Sequence, residues 1–345
     1  MPVYLTHQRR FIIQIILLAV FFVACNPAQD KTADENAPAP HFTIGLVVPH
    51  EITTLIFDQY RSKMAELGYE EGKNVTYIQK GPPEGLVQLL QYPKELVASE
   101  IDLMVVIATE GALIAQSATE EIPIIFIAGD TPIEMGLVES LERPGGNVTG
   151  VMTTGPEARR LQILLEIDPT IERLYIPHAP DDMMVADALS ELEAVASDLG
   201  IVMVPEEIED EAALAGRIQD LPADIDAIFI LQDILVSSAI GDWASAAVEH
   251  KLPLSAPGVG DGGVGSPVFT YSPLMGYGLY IPDLAQKAAR LSDQVLRGTY
   301  PGDLPIETAE LYLMVNLDSA GAIGVEIPDH ILEQAQFVNR WADQP

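Results

Sequence analysis

Residues 128–154 read AGDTPIEMGLVESLERPGGNVTGVMTT. The segment begins where the apolar run 122–127 ends, and it sets Asp130 and Thr131, polar residues able to hold a ligand, at that edge. A short amphipathic segment, 135–141, is stopped by Pro144-Gly145-Gly146, which no helix tolerates and which turns the chain. Residues 147–151 then read as one more strand, and beyond them an α/β alternation starts afresh. The segment is therefore both a candidate binding edge and a candidate hinge.

Upstream of it, short β-branched runs alternate with longer amphipathic stretches. Strands are expected at 43–48, 74–79, 103–108 and 122–127, and helices at 55–67, 87–98 (broken or started around Pro93) and 110–119. Downstream, helices are expected at 157–167, 184–199, 211–221 and 237–250, with strands at 174–177, 201–205, 227–231 and 252–255. Such an order implies parallel sheets with right-handed crossovers and helices on both faces. Two such units make an α/β fold of two Rossmann-like lobes facing a cleft. The Gly-rich tract 257–267 has no Lys after its glycines and no helix opening from it, so it reads as a loop at the cleft rather than a phosphate cradle. Pro282 suits the first turn of a helix reaching Gly298, and a final strand is expected at 311–315.

Composition sets the outer limits. A chain of 345 residues, 48% of them hydrophobic, holds about two domains with buried cores. Fifty-one acidic residues against 18 basic ones leave a formal charge of -33, which disfavours nucleic acid and anionic bilayers as partners. Arg9-Arg10, the apolar run 11–23 and the small residues before Cys25 form a targeting segment too short to span a bilayer, which needs roughly 20 residues. It resembles a lipoprotein signal, residues 1–24, that leaves Cys25 as the lipidated first residue; Phe22 stands where Leu is usual. Residues 25–41 read as a flexible tether. Cys25 is the single cysteine, so no internal disulfide is possible and stability must come from the cores.

Open α/β sheets bind ligands beyond the carboxyl ends of their strands, where helix N-termini present free N–H groups. That rule selects His50, Thr53 and Thr54, then Thr109, Glu110 and Gly111, then Asp130 and Thr131 in the first half. In the second half it selects Thr153, Thr154, His178, Gln232, Asp233 and Ser255. An amino-acid zwitterion needs donors for its carboxylate, which Thr109 and the N–H groups of Glu110 and Gly111 could supply, and an acceptor for its ammonium, either Asp130 or Asp233. Thr109 and Asp233 are equally ordinary helix caps, worth about 1 kcal/mol each.

Four motifs, ELGYEEGKNV (66–75), IPIIFIAGDTP (122–132), GLVESLERPGGNVTGV (136–151) and VNLDSAGAIGVEIPDHIL (315–332), make the chain resemble the extracytoplasmic substrate-binding proteins of ABC importers over residues 42–337. The resemblance is to the branch whose described members bind aromatic amino acids such as tryptophan. It implies the type I periplasmic-binding-protein fold, with one lobe from 42–152 plus 273–300, the other from 153–272 plus 301–345, and a stiff hinge of three crossings. It also implies a monomer that takes a small polar solute, an amino acid or related carboxylate, and delivers it to a permease with its ATPase; a ligand-sensing receptor is the alternative. The protein would touch a membrane only through the lipid anchor. Thr109 falls on the Thr of the family's Ala-Thr-Pro turn, with Glu110 in place of Pro. The family's Thr-Asp before Pro is inverted at Asp130-Thr131, Gln232 replaces a Thr beside Asp233, and two alignments make either Tyr271 or Tyr277 the aromatic residue facing the ligand.

Catalysis is disfavoured. A lone cysteine excludes two-cysteine racemase chemistry, the six histidines have no metal-ligand spacing, and no GxSxG turn occurs, so neither cofactor nor metal is expected.

Overall fold

Strand β3 (Leu103–Ile107) and strand β4 (Ile124–Gly129) are nearly all apolar, and alternate side chains of each enter different cores. Leu103, Val105, Ile125 and Ile127 point one way, while Met104, Val106, Ile124 and Phe126 point the other. That is the mark of a sheet buried on both faces. In a computed structural model describing residues 40–180, 183–258 and 272–339, the two strands form the middle of a six-stranded sheet. Its order is β11-β5-β4-β3-β1-β2, all parallel, with β1 Phe42–Val47, β2 Val75–Lys80, β5 Val148–Met152 and β11 Glu307–Thr308. Helices α1 (Thr54–Glu66), α2 (Leu86–Ala98) and α3 (Ala108–Gln116) connect the first strands.

The second sheet has seven strands in the order β13-β12-β10-β9-β8-β6-β7. They are β6 Arg173–His178, β7 Val202–Glu207, β8 Ala227–Phe229, β9 Leu254–Gly258, β10 Met275–Leu279, β12 Leu311–Asn316 and β13 Phe337–Asn339. All pairs are parallel except β10 with β12. Helices α4 (Glu157–Ile167), α5 (Met183–Leu199), α6 (Glu211–Gln219), α7 (Ile234–Ser237) and α8 (Ile240–His250) precede β10; α9 (Ile281–Leu296), α10 (Leu317–Ile323) and α11 (Asp329–Gln334) follow it. This sheet too carries a core on each face, one with Leu161, Leu164, Leu174, Phe229 and Met275, the other with Tyr175, Ile228, Trp243 and Leu254. The architecture is thus the expected α/β pair of lobes.

Among the described residues three connections join the sheets: β5 into α4, β10 through α9 to β11, and β11 into β12. Helix α9 lies on the first lobe, where Ser292 Oγ accepts from buried Tyr60 at 2.9 Å. Two crossing points differ from the sequence expectation that 273–300 belongs to the first lobe and 301–345 to the second. Strand β10 pairs within the second sheet, and β11 pairs with β5 in the first, so the chain changes lobes at Tyr280 and again at 309–310. The glycines of MGYGL conceal β10 from a propensity reading, yet they are what it needs. A Cβ at Gly276 would stand 2.1 Å from the Gly258 carbonyl oxygen, and one at Gly278 2.3 Å from that of Pro257.

Local departures have equally local causes. Pro93 neither breaks nor starts α2 but sits inside it, buried beside Tyr92. The segment 135–141 is a stack of turns rather than a regular element: Met135 N–H donates to Thr131, Leu137 N–H to Pro132, and Gly136 takes φ +71°. Leu137 and Val138 nonetheless enter the core, which accounts for the amphipathic pattern.

Candidate functional site

In both lobes the parallel strands deliver their carboxyl ends to the edge where the chain crosses over. Strand β5 ends at Met152, and after four intervening residues α4 begins in the other lobe. The two carboxyl edges therefore meet across the hinge, and the candidate residues divide between them.

On the first-lobe edge, Thr109 and Asp130 come together from the ends of β3 and β4. Thr109 Oγ1 donates to Asp130 Oδ1 over 3.3 Å and accepts from the Asp130 N–H at 3.1 Å. Asp130 Oδ1 also accepts from the Thr131 N–H at 2.7 Å and from its hydroxyl at 3.3 Å. Thr109 is fully buried, whereas Asp130 and Thr131 are exposed. The threonine thus acts as a brace that aims the carboxylate outward. Gly129 permits the contact, since a Cβ there would lie 2.8 Å from Thr109 Oγ1 and from the Phe126 ring. The edge also stores backbone strain: Ala108 and Ala128 adopt φ +63° and +60°, the left-handed region that costs a residue with a Cβ about 1 kcal/mol or more.

Helix α3 starts directly from β3 with Ile107 at its N-cap and no side chain bonded to its first-turn amides. These N–H groups, with the positive end of the helix dipole, form a place for an anionic group beside Asp130. Glu110 is exposed and Gly111 half-buried in that same turn. After β1, His50 is exposed and its carbonyl accepts from the Thr53 hydroxyl at 2.6 Å.

The second-lobe edge is internally committed. Asp233, almost entirely buried, accepts from the Val236 N–H on Oδ1 at 2.9 Å as the N-cap of α7 and from the Ala179 N–H on Oδ2. Both oxygens serve the lobe's own backbone. His178 is buried at the end of β6 with Nδ1 3.1 Å from the Ala179 carbonyl. Ser255 lies wholly inside β9, its hydroxyl without a hydrogen-bond partner among the described residues. Gln232 and Thr154 are exposed, and the Thr153 N–H donates to Gly129 across the start of the crossing at 2.6 Å. Tyr277 lines a cavity of about 390 Å³ formed by second-lobe residues, Arg159, Ile163, Leu311 and Leu313 among them. Tyr271, Cys25 with its preceding signal, the tether up to residue 39, and most of the Gly-rich tract lie outside the described residues.

One feature of this edge is invisible to the candidate-picking rule. Glu157 and Arg160, in the first turn of α4, form a buried ion pair: Arg160 Nε donates to Glu157 Oε2 at 2.9 Å, Nη2 bonds the same oxygen, and Nη1 donates to the Ile230 carbonyl at 2.7 Å. Burial pushes the Glu157 carboxyl above its ordinary range against the pull of Arg160, with Glu191 adding to the rise. Burial likewise lowers Arg160. Glu-x-x-Arg spacing reads as a solvated helix pair, so only the Pro156 start of α4 hints that it faces an edge. Among the described residues no group of three or more His, Cys, Asp or Glu could hold a metal ion.

Known proteins resemble this chain in sequence and fold. A tyrosine-binding protein of Clostridioides difficile is 24% identical over 302 residues, 87% of this chain and 86% of that protein. A Streptococcus pneumoniae ABC domain solved in complex with L-Trp is 25% identical, superposes with a TM-score of 0.70, and covers 87% of this chain and 100% of its own. A conserved domain protein of Vibrio cholerae is 26% identical with the same TM-score, covering 88% and 100%. Residues 43–339 match the profile described as ABC transporter substrate binding protein. With two predominantly parallel sheets, three crossings and a match spanning both lobes, the chain belongs to the family of ABC transporter substrate-binding proteins, whose type I periplasmic-binding fold it has.

Proposed function

We propose that this protein captures an amino acid bearing an aromatic side chain between its two lobes and passes it to an ABC permease and its ATPase. The observation that carries the reading is the exposed Asp130 carboxylate, braced by Thr109 and Thr131 beside the uncapped N-terminus of α3. A zwitterion fits both groups at once, its ammonium on Asp130 and its carboxylate on the α3 amides. Apolar surface accompanies them: Ile133 and Met135 follow Asp130, Ile234 follows Asp233, and all three are exposed. A tyrosine-binding relative and a relative bound to L-Trp support the aromatic choice. His50, Thr53, Thr154, Gln232 and the tyrosine at 271 or 277 would complete the contacts, while Ser255 and Asp233 shape the second-lobe wall.

Such proteins work outside the cytoplasm, and we place this one on the cell envelope, lipid-anchored through Cys25 and tethered by 25–41. Among the described residues no helix is long and apolar enough to cross a membrane. Mass spectrometry of native protein should find a diacylglycerol-modified peptide beginning at Cys25; an intact Met1 or a free thiol there would remove the anchor from the proposal.

The ligand is tested by a thermal-shift screen over amino acids, small carboxylates, nucleosides and sugars. A true ligand at 100 times its dissociation constant adds about 2.7 kcal/mol of stability. Tryptophan, tyrosine or phenylalanine should give the largest shifts. Shifts by sugars or nucleosides with none from any amino acid would refute the assignment.

A further inference from the structure

Glu157 and Arg160 are out of place as a stability device. Arg160 is among the largest fully buried side chains of the protein, and its guanidinium lies 3.8 Å from the centroid of the Phe229 ring. Desolvating two charges offsets most of what their attraction contributes, and apolar replacement of a buried pair is often neutral or stabilising. The gain must be sought in what the pair holds still.

It holds two pieces of chain that meet at the second-lobe edge. Glu157 opens α4 immediately after the crossing 153–156, and the backbone N–H beside it, on Ala158, donates to Glu191 of α5 at 3.3 Å. Ile230 is where β8 gives way to the turn carrying Gln232 and Asp233. Its carbonyl accepts a hydrogen bond from Arg160 Nη1, and its N–H donates to the Ser255 carbonyl at 3.0 Å. Beyond it the turn is cross-braced: Asp233 N–H and Ser237 Oγ both donate to the Leu231 carbonyl, at 2.8 and 3.3 Å. Arg160 is the link that fastens this turn to the helix leading in from the other lobe. A single guanidinium does this because its rigid fork donates to a carboxylate and a carbonyl in one plane.

We propose that Glu157 and Arg160 are positioning residues, holding the turn 230–233 in register with the crossing so that the second lobe presents a preformed edge to the ligand. The ligand part of this inference rests on the proposed capture of a solute between the lobes; the positioning part does not.

The experiment pairs amide hydrogen exchange with calorimetric titration of tryptophan and tyrosine, on wild type and on the double variant Glu157→Met, Arg160→Met. Removing both charges leaves neither unpaired, so the double variant should keep the wild-type melting temperature within a few degrees. Exchange of the amides of residues 231–236 should nonetheless accelerate about tenfold or more while the first-lobe sheet is unchanged. Affinity for the bound amino acid should fall about tenfold, which is what a contact edge freed to wander loses. A merely structural pair would leave affinity unchanged once the melting temperature is preserved. Should the double variant not fold, Arg160→Lys, which keeps the charge without the fork, is expected to fold and to show the same local exchange and loss of affinity. Unchanged exchange across 231–236 overturns the proposal, as does faster exchange with undiminished affinity. A wild type that binds neither amino acid refutes the aromatic ligand instead, while the exchange result still decides whether the pair positions the turn.

Discussion

The two carboxyl edges of this protein are built on opposite plans. In the first lobe the edge is strained, uncapped and exposed: two alanines lie in the left-handed region, the first turn of α3 has no side-chain cap, and Asp130 stands open to solvent. In the second lobe the corresponding turns are satisfied from within, by Arg160 on Ile230 and by Asp233 on Ala179 and Val236. Residues at chemically similar positions, an aspartate just past a strand, thus do different work. Asp130 has an oxygen to offer a ligand, whereas Asp233 has used both on its own backbone. The contrast suggests a division of labour in which the first lobe recognises the polar head group and the second supplies a rigid wall that closes on it. A ligand favours closure only by making contacts the open form lacks, so a rigid wall makes those contacts without first having to be ordered.

The sharpest way to break this comparison is to unlock the second edge with one substitution. Arg160→Met leaves the Glu157 carboxylate buried without its partner and should destabilise the protein by about 3–5 kcal/mol at neutral pH. Its pH dependence has a definite sign. Glu157 already sits above its ordinary 4.5 because burial outweighs Arg160, and without the guanidinium it rises further. A folded-state pKa above the unfolded one means the folded form holds the proton more tightly. The stability tied to that proton is fully present below 4.5 and is lost as pH rises through the folded value. The deficit of the variant should accordingly be greatest at neutral pH and shrink on acidification, read from urea midpoints across the range. A deficit that grows on acidification would mean that the carboxyl stays ionised and has found another partner.

Opening the first edge should leave stability nearly intact and strike affinity. Asp130→Ala removes the proposed ammonium acceptor and should weaken amino-acid binding by about 2–5 kcal/mol, measured calorimetrically. Thr109→Val keeps the buried volume but loses the hydroxyl that holds Asp130 Oδ1, and should cost about 1 kcal/mol of affinity. Equal losses from the two would mean that the threonine itself touches the ligand, contrary to its burial. Unchanged binding by Asp130→Ala would move recognition to the other lobe.

How far the sequence alone reveals this contrast follows from what each scale encodes. The strands at 103–107 and 124–129 are legible because unbroken apolar runs between turn signals have few other uses, and α4 is legible to its ends because Pro156 and the break before Pro169 bracket a helical period. Strand β10 is not, since close approach of the β9 backbone demands glycines that propensity counts against a strand. Thr109 and Asp130 can each be picked as strand-end residues, but their mutual bond depends on the bulge between Ile127 and Gly129, which no pattern announces. Arg160 shows the deeper difficulty. Its spacing from Glu157 is that of a surface pair, and only the fold, by laying α4 against Phe229 and Ile230, turns the pair inward.

The finest test concerns Glu110, exposed in the first turn of α3. A carboxylate there complements the helix dipole, contributing about 0.3–1 kcal/mol to the isolated helix, but it occupies the positive end that a ligand carboxylate would use. The two demands oppose each other in the bound state. Glu110→Gln keeps the size of the side chain and lifts the repulsion, so it should lower stability slightly while improving amino-acid affinity by about 0.3–1 kcal/mol. Because the residue is exposed, the improvement should fade as salt rises from low to physiological strength, where the screening length falls to about 8 Å. The amide analogue of the same amino acid, which has no carboxylate to repel, should show no improvement at any salt concentration. If amide and acid gain equally, the charge at 110 does not face the ligand's carboxylate, and the head group sits on the first-lobe edge with its ammonium alone engaged.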